Sequence, residues 1–341
     1  MTTGSEAAPI FIGGSGSSGS TLLSVLLDKH PLIACGPELS MFNKSAIYED
    51  FAQVQARFSS WLTKGIRTDG YFRYYPFCTH LTDYGMTKER LLDWLHAARN
   101  LREFCDYFIE AVLRERQKTI FAEKTPSNAY CFPQLRELYP RARFIHIYRD
   151  GRDVVCSLRQ RGFSWFQAAS MWLYNTAAAL RLESHTAYYA LSYESLASDP
   201  EQTLQALCAF LKIPYDAAML RPKQTVRKTE GAAARSWNLT PVSDPISARS
   251  VRRYKKDLST VGAGIFHGTK LTEHAQEKLQ TSLKTTQAVL KHLGYPAASE
   301  ADQSRARIPA MVQLVENRVY RHLQSLRRRE SLEQPLTTVG F

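Results

Sequence analysis

The sequence predicts an α/β fold: a P-loop-like parallel sheet flanked by helices, with helical insertions and a helical C-terminal extension. Three observations predict it. Five short apolar runs, at Ile10–Ile12, Leu32–Cys35, Thr119–Ala122, Arg143–Tyr148 and Tyr188–Leu191, are separated by helical stretches long enough to cross over a sheet. Each run ends in a polar cluster, and right-handed crossovers place all such clusters on one edge of the sheet. The first run leads through a glycine and serine loop directly into an apolar helix, which is the order of an anion cradle.

Taken in order, residues 1–8 read as a flexible start that lacks the basic region and long apolar region of a secretory leader. Ile10–Ile12 is the first strand, Gly13 to Thr21 the loop, and Leu22, Leu23, Val25, Leu26 and Leu27 carry helical spacing. Gly14 and Gly19 have the spacing of the nucleotide-triphosphate loop GxxxxGK, but Ser20 stands where its lysine belongs. That points away from an ATPase and toward another phosphate-bearing donor. His30-Pro31 stops the helix, and the second strand ends at Gly36-Pro37-Glu38, placing a carboxylate where such sheets bind ligands. Residues 40–118 read as mostly helical, interrupted by the aromatic stretch 71–77 around Pro76, which is read chiefly as packing and secondly as a pocket cover.

The third strand ends in Glu123-Lys124-Thr125-Pro126. The fourth shows little alternation, as expected of a strand buried on both faces, and empties into Arg149-Asp150-Gly151-Arg152-Asp153 and a helix over Val154–Arg161. The fifth is followed by Ser192-Tyr193-Glu194 and a helix from about Asp199-Pro200. Regular patterning fades over 221–268, which reads as a long loop with the basic run Arg249, Arg252, Arg253, Lys255 and Lys256. Thr272–His292 is expected to be one amphipathic helix, with Leu279, Leu283 and Leu290 on one side and Gly294 ending it. The expected organisation is one domain over 9–298 with its core motifs in 9–195, a helical extension over 299–330 and a disordered tail over 331–341.

An apolar content of 44% in 341 residues supports a sizeable core. The net charge of +12 suits acidic partners: nucleic acid, anionic lipid, sulfated or phosphorylated substrates, or a polyanionic cofactor. Six scattered cysteines, Cys35, Cys78, Cys105, Cys131, Cys156 and Cys208, form no CxxC pair and have no histidine at metal spacing. Reduced thiols in a cytoplasmic, metal-free protein are the simplest reading. No stretch approaches the ~20 apolar residues that span a bilayer. The run Arg327-Arg328-Arg329, at the end of a helical stretch over Pro309–Arg329, suits peripheral contact with an anionic membrane, although as a charge run at a helix end it reads more often as solvated and suits the negative end of the dipole.

The loop GGSGSSGSTLL resembles the 5′-phosphosulfate loop of sulfotransferases that use 3′-phosphoadenosine 5′-phosphosulfate (PAPS). YRDGRDVVCS resembles that family's 3′-phosphate motif, through Arg149 and Ser157. The likeness is closest to the tyrosylprotein sulfotransferase branch and its bacterial relatives, through Cys35-Gly36-Pro37-Glu38, Lys124-Thr125-Pro126, Arg161 and Tyr193-Glu194. These patterns cover residues 9–195, and Arg253-Tyr254-Lys255 extends them loosely.

The resemblance implies a sulfotransferase fold and metal-free transfer from PAPS to a hydroxyl acceptor: a carbohydrate, lipid, small molecule or peptide tyrosine, with no nucleic acid partner. It assigns donor contacts to Gly16, Ser17, Ser18, Gly19, Ser20, Thr21, Arg149, Ser157, Arg161, Tyr193, Arg253 and Lys255. Glu38 is the candidate general base, and Lys124 the cation at the bridging oxygen and departing phosphate. One residue departs from the family's pattern: Ser17 occupies a position where Arg or Lys is usual, which shifts the burden of charge to Lys124, the helix dipole or the 249–256 loop. Two alternatives stay open. A small-molecule kinase is disfavoured by Ser20, and a catalytically silent PAPS-binding protein is motivated by Ser17. Among histidines, His146 reads as a core residue inside its strand, while His80 stays open as a base.

Overall fold

The computed structural model describes residues 8–67, 74–75, 77–220, 246, 248–297 and 339–340. Strand β1 (Ile10–Gly14) passes through the loop into α1 (Ser20–Asp28) and then β2 (Ile33–Cys35). The Lys118 ammonium donates to the carbonyls of Asp28, His30 and Ile33 at 2.9, 2.7 and 3.0 Å, satisfying acceptors between the end of α1 and the start of β2. A largely helical insertion follows: α2 (Phe51–Lys64), a backbone pairing of β3 (Ile66–Arg67) with β4 (Tyr74–Tyr75), α3 (Lys88–Ala97) and α4 (Leu101–Arg116). Asp50, Thr87 and Asn100 cap these three helices through their side chains. Most of the aromatic stretch 71–77 lies outside the described residues.

The chain returns to the sheet as β5 (Ile120–Lys124), turns through a 3-10 segment at Pro126–Cys131 into α5 (Phe132–Leu138), and re-enters as β6 (Arg143–Tyr148). Helices α6 (Gly151–Gln160) and α7 (Trp165–Leu180), the latter opened by a Ser164/Gln167 capping box, lead to β7 (Tyr188–Ser192), α8 (Tyr193–Ser198) and α9 (Pro200–Leu211). The five long strands pair in the order β2-β5-β1-β6-β7, all parallel. Alternate residues go to opposite faces: Phe11, Ala34, Phe121 and Phe144 enter one core, and Ile10, Ile12, Ile33, Ala122, Ile145 and Ile147 the other.

Two expectations are corrected. The described part of the 221–268 loop contains α10 (Tyr254–Asp257) and α11 (Thr260–Gly268); Ser259 caps α11, and Ile265 and Phe266 bury its apolar side. Residues 221–245 lie outside the described residues. The helix expected over 272–292 is two helices, α12 (Glu273–Leu279) and α13 (Thr286–His292). Gln280 takes a left-handed φ of 49°, Leu271 N–H donates to the Lys284 carbonyl at 2.8 Å, and Thr285 caps α13. This break lets Leu279, Val289 and Leu290 all reach the core. Lys270–Leu271 (β8) pairs antiparallel with Val339–Gly340 (β9); the rest of the expected tail and the helical stretch 309–329 fall outside the described residues.

All six cysteines are free and buried. No helix among the described residues is long and apolar enough to cross a membrane, and none of their His, Cys, Asp and Glu side chains group in threes to hold a metal.

Candidate active site

The carboxyl edge of the sheet gathers the loop after β1, the segment after β2, the end of β5 and the N-termini of α6 and α8. The loop curls because its backbone visits the left-handed region twice, at Ser17 (φ 68°) and Gly19 (φ 90°). Gly19 is required twice over: its φ disfavours a Cβ, and a Cβ there would lie 2.4 Å from the Tyr193 ring. Tyr193 therefore closes directly over the loop. The Arg149 guanidinium stacks on the other partner of this contact, 4.4 Å from the centroid of the same ring, and donates to the Ser17 carbonyl at 3.2 Å.

Arg149 is held at its backbone by the Trp172 indole N–H, which donates to its carbonyl at 3.1 Å. Asp150 caps α6, pairs with the Arg152 guanidinium at 2.9 and 2.7 Å, and donates its own N–H to Glu194. Asp153, fully buried one turn on, accepts the backbone N–H of Arg252 and of Tyr254, each at 2.8 Å. Burial pushes its carboxyl up, and these two N–H groups with Arg149 pull it back. Through Asp153 the basic loop is fastened onto α6, and Arg149 reaches it as well, donating to the Ser250 carbonyl and lying 3.6 Å from Asp153. Arg149 thus pairs with Asp153 and also contacts the loop and Tyr193.

Glu38 and Lys124 meet as an ion pair of 3.2 Å, with the lysine buried and the carboxylate about a quarter exposed. Arg161, half-buried just past α6, is pushed down by burial, raised by the Glu38 charge and lowered by Arg149, so it senses both halves of the site. Beneath the ion pair, the fully buried Glu123 carboxylate accepts from Leu39 N–H at 3.1 Å, Thr125 hydroxyl at 2.6 Å and the Asn128 amide.

The structure therefore brings together Gly16 to Thr21, Arg149, Tyr193, Glu38, Lys124 and Arg161. Ser157 is half-buried farther along α6, with no hydrogen bond to Arg149 among the described residues. Arg253 lies beside α6 but is engaged with Asp257 at 2.7 Å, and Lys255 is exposed. His146 is a core residue as expected: it is bonded to the Tyr188 hydroxyl at 2.6 Å and pushed down to about 3 by burial. His80 pairs with Asp83 at 3.2 Å. Sequence reasoning missed the roles of Glu123, Thr125, Asn128 and Asp153, and it missed Lys44, which is buried within electrostatic reach of Glu38 and Glu123 and lowered to about 7 by burial. No local pattern marks Lys44.

The fit to a donor bearing phosphate at two positions rests on unused polarity. Ser17 Oγ, Ser18 Oγ and Arg149 Nε are buried with no hydrogen-bond partner among the described residues, and they line the loop and the arginine facing it. Buried donors are rarely left so, and an anion's oxygens would satisfy all three.

Residues 9–217 match the sulfotransferase family. Protein-tyrosine sulfotransferase 1 of Danio rerio is 26% identical over 235 residues, covering 66% of this chain and 58% of that protein. Protein-tyrosine sulfotransferase of Drosophila melanogaster is 27% identical over 240 residues, covering 66% and 42%. The chain thus spans only part of the length of these curated relatives. Among solved structures, the sulfotransferase domain from the curacin biosynthetic pathway aligns with a TM-score of 0.55 at 20% identity, covering 86% of this chain and 100% of that one. The sulfotransferase domain of the Synechococcus PCC 7002 olefin synthase aligns at 0.51 and 22%, covering 73% and 90%. At these identities the likeness is one of fold.

Proposed function

The chain belongs to the sulfotransferase family, and from that premise we propose that it moves a sulfuryl group from PAPS to a hydroxyl acceptor. The observation that carries this reading is the Glu38–Lys124 pair, a carboxylate and a buried cation 3.2 Å apart between two anion-binding elements. The donor supplies an activated sulfuryl group on a phosphate leaving group. The chain's residues do the rest. The N–H groups and hydroxyls of Gly16, Ser17, Ser18, Gly19, Ser20 and Thr21 hold its 5′ side at the start of α1, where the helix dipole favours negative charge. Arg149 holds the 3′-phosphate, with Ser157, Arg253 and Lys255 drawn in from α6 and the fastened loop.

Glu38 accepts the proton of the acceptor hydroxyl as that oxygen attacks sulfur. Lys124 donates to the oxygen that leaves, and Arg161 adds positive charge on the same side, which supports turnover although Ser17 brings none. These cations occupy the role a metal plays elsewhere, so the rate is expected to be indifferent to chelators. As acceptor we favour a tyrosine of an acidic peptide, because the curated relatives are protein-tyrosine sulfotransferases and the net charge is +12.

The test is thermal stabilisation of the purified chain by adenosine 3′,5′-bisphosphate, together with transfer of labelled sulfur from PAPS to such a peptide. At a hundred times its dissociation constant the nucleotide should add about 2.7 kcal/mol. Absence of any stabilisation would sink the donor assignment. Phosphorylated product from ATP and Mg²⁺ would replace it with a kinase.

A further inference from the structure

A second carboxylate, besides the one assigned to the acceptor, is fully enclosed beneath the ion pair. Glu123 precedes Lys124 on β5, is fully buried, and points to the face opposite its neighbour, in register with Phe11 of β1. Three donors and no acceptor converge on it: Leu39 N–H and Thr125 hydroxyl on Oε1, and the Asn128 amide on Oε2. A carboxylate, which only accepts, suits that pattern: burial pushes its pKa up and these three bonds pull it back. The bonds continue outward. Thr125 Oγ1 accepts Ser40 N–H at 3.1 Å, and Asn128 Nδ2 donates to the Ile12 carbonyl at 3.1 Å, at the root of the donor loop.

We propose that Glu123 is a positioning residue that holds Glu38 opposite Lys124. This rests on the reading of Glu38 and Lys124 as the reacting pair. The two peptide N–H groups that follow Glu38 are both captured by this network, one by Glu123 itself and one by Thr125, which Glu123 orients. Lys124 leaves the same strand one residue later. The two partners of the ion pair, which sit 86 residues apart in the chain, are thereby fixed to one buried carboxylate. Asn128 joins that carboxylate to β1 as well, so the base, the cation and the donor loop share a single frame. Filling space alone would be served as well by an apolar side chain; a buried carboxylate is tolerated here because its lone pairs are taken by groups that need placing.

The experiment uses the full chain and two variants, Glu123→Gln and Thr125→Val, with Thr125→Ser as the conservative control that retains the hydroxyl. Turnover is measured with PAPS and a tyrosine-bearing acidic peptide, nucleotide binding by titration with adenosine 3′,5′-bisphosphate, and backbone exchange at Leu39 and Ser40 by hydrogen–deuterium exchange. The expected result is a fall in kcat of about 100-fold in both variants, the scale of a misplaced reacting group, with nucleotide affinity nearly unchanged. Leu39 and Ser40 should exchange faster in both, and Thr125→Ser should behave as wild type in every readout. A lowered melting temperature with kcat of the folded fraction unchanged would overturn the proposal, as would unaltered exchange at both amides. If the wild-type chain transfers nothing to the peptide, the acceptor chemistry fails separately, and the exchange data decide the positioning claim by themselves.

Discussion

Glu38 and Lys124 arrive from β2 and β5 and meet at 3.2 Å, so each is expected to matter for turnover in its own way. Glu38→Gln keeps the shape and removes the proton acceptor. Turnover should fall by about 10²- to 10⁴-fold, the range of general-base contributions, while binding of adenosine 3′,5′-bisphosphate by calorimetry stays near wild type. Lys124→Met should cost about 10²- to 10³-fold by removing the donor at the leaving oxygen. Ser17 presents a different case. Its carbonyl is engaged by Arg149 and its φ is already left-handed, so the backbone is set whatever the side chain. Ser17→Arg supplies the charge missing from the loop and is expected to raise turnover by about tenfold, equivalent to ~1.4 kcal/mol of barrier, read as kcat with PAPS.

At the scale of elements, β6 carries a pH dependence. His146 is pushed from 6.5 down to about 3 because it is buried, with the Tyr188 hydroxyl hydrogen-bonded to its Nδ1. Above pH 6.5 it is neutral both folded and unfolded and contributes nothing to the slope. As pH falls from there toward 3, the unfolded chain takes up a proton that the folded one refuses, so stability declines, by about 5 kcal/mol at most. His146→Gln should flatten that part of the acid-unfolding curve in denaturant titrations at pH 7 and pH 4, leaving other acid-sensitive groups in place.

The strands of the sheet are legible in the sequence because each is an apolar run ending in a polar cluster, and the structure extends most of them by only one or two residues. The break between α12 and α13 was not legible. Gln280 gives no warning of a left-handed φ, and the bonds that favour the break come from Leu271 and the capping Thr285. The basic loop is a similar case. Its attachment depends on Asp153, whose partners lie 99 and 101 residues away. Asp153→Asn would face two N–H donors with one fewer acceptor, and it is expected to weaken binding of adenosine 3′,5′-bisphosphate by about tenfold, measured by calorimetry.

For the molecule as a whole, motif-borne residues were readable from sequence because they lie in short runs that follow a strand, whereas the frame that aligns them was not. Glu123 stands in plain sight before Lys124, but its partner Leu39 is 84 residues distant, and only the folded sheet brings the two together. The two cores on either face of the sheet hold that edge in shape, and the chain's +12 charge gives the protein an attraction for polyanions that should weaken with added salt. The proposed reaction is sulfuryl transfer from PAPS by the Glu38–Lys124 pair. It is tested most directly by following labelled sulfur from PAPS into a tyrosine-bearing acidic peptide with the wild-type chain and with Glu38→Gln at equal nucleotide occupancy. Label is expected on the peptide's hydroxyl with the wild type, with a loss of at least about 100-fold in the variant; equal labelling by the two proteins would rule out Glu38 as the base.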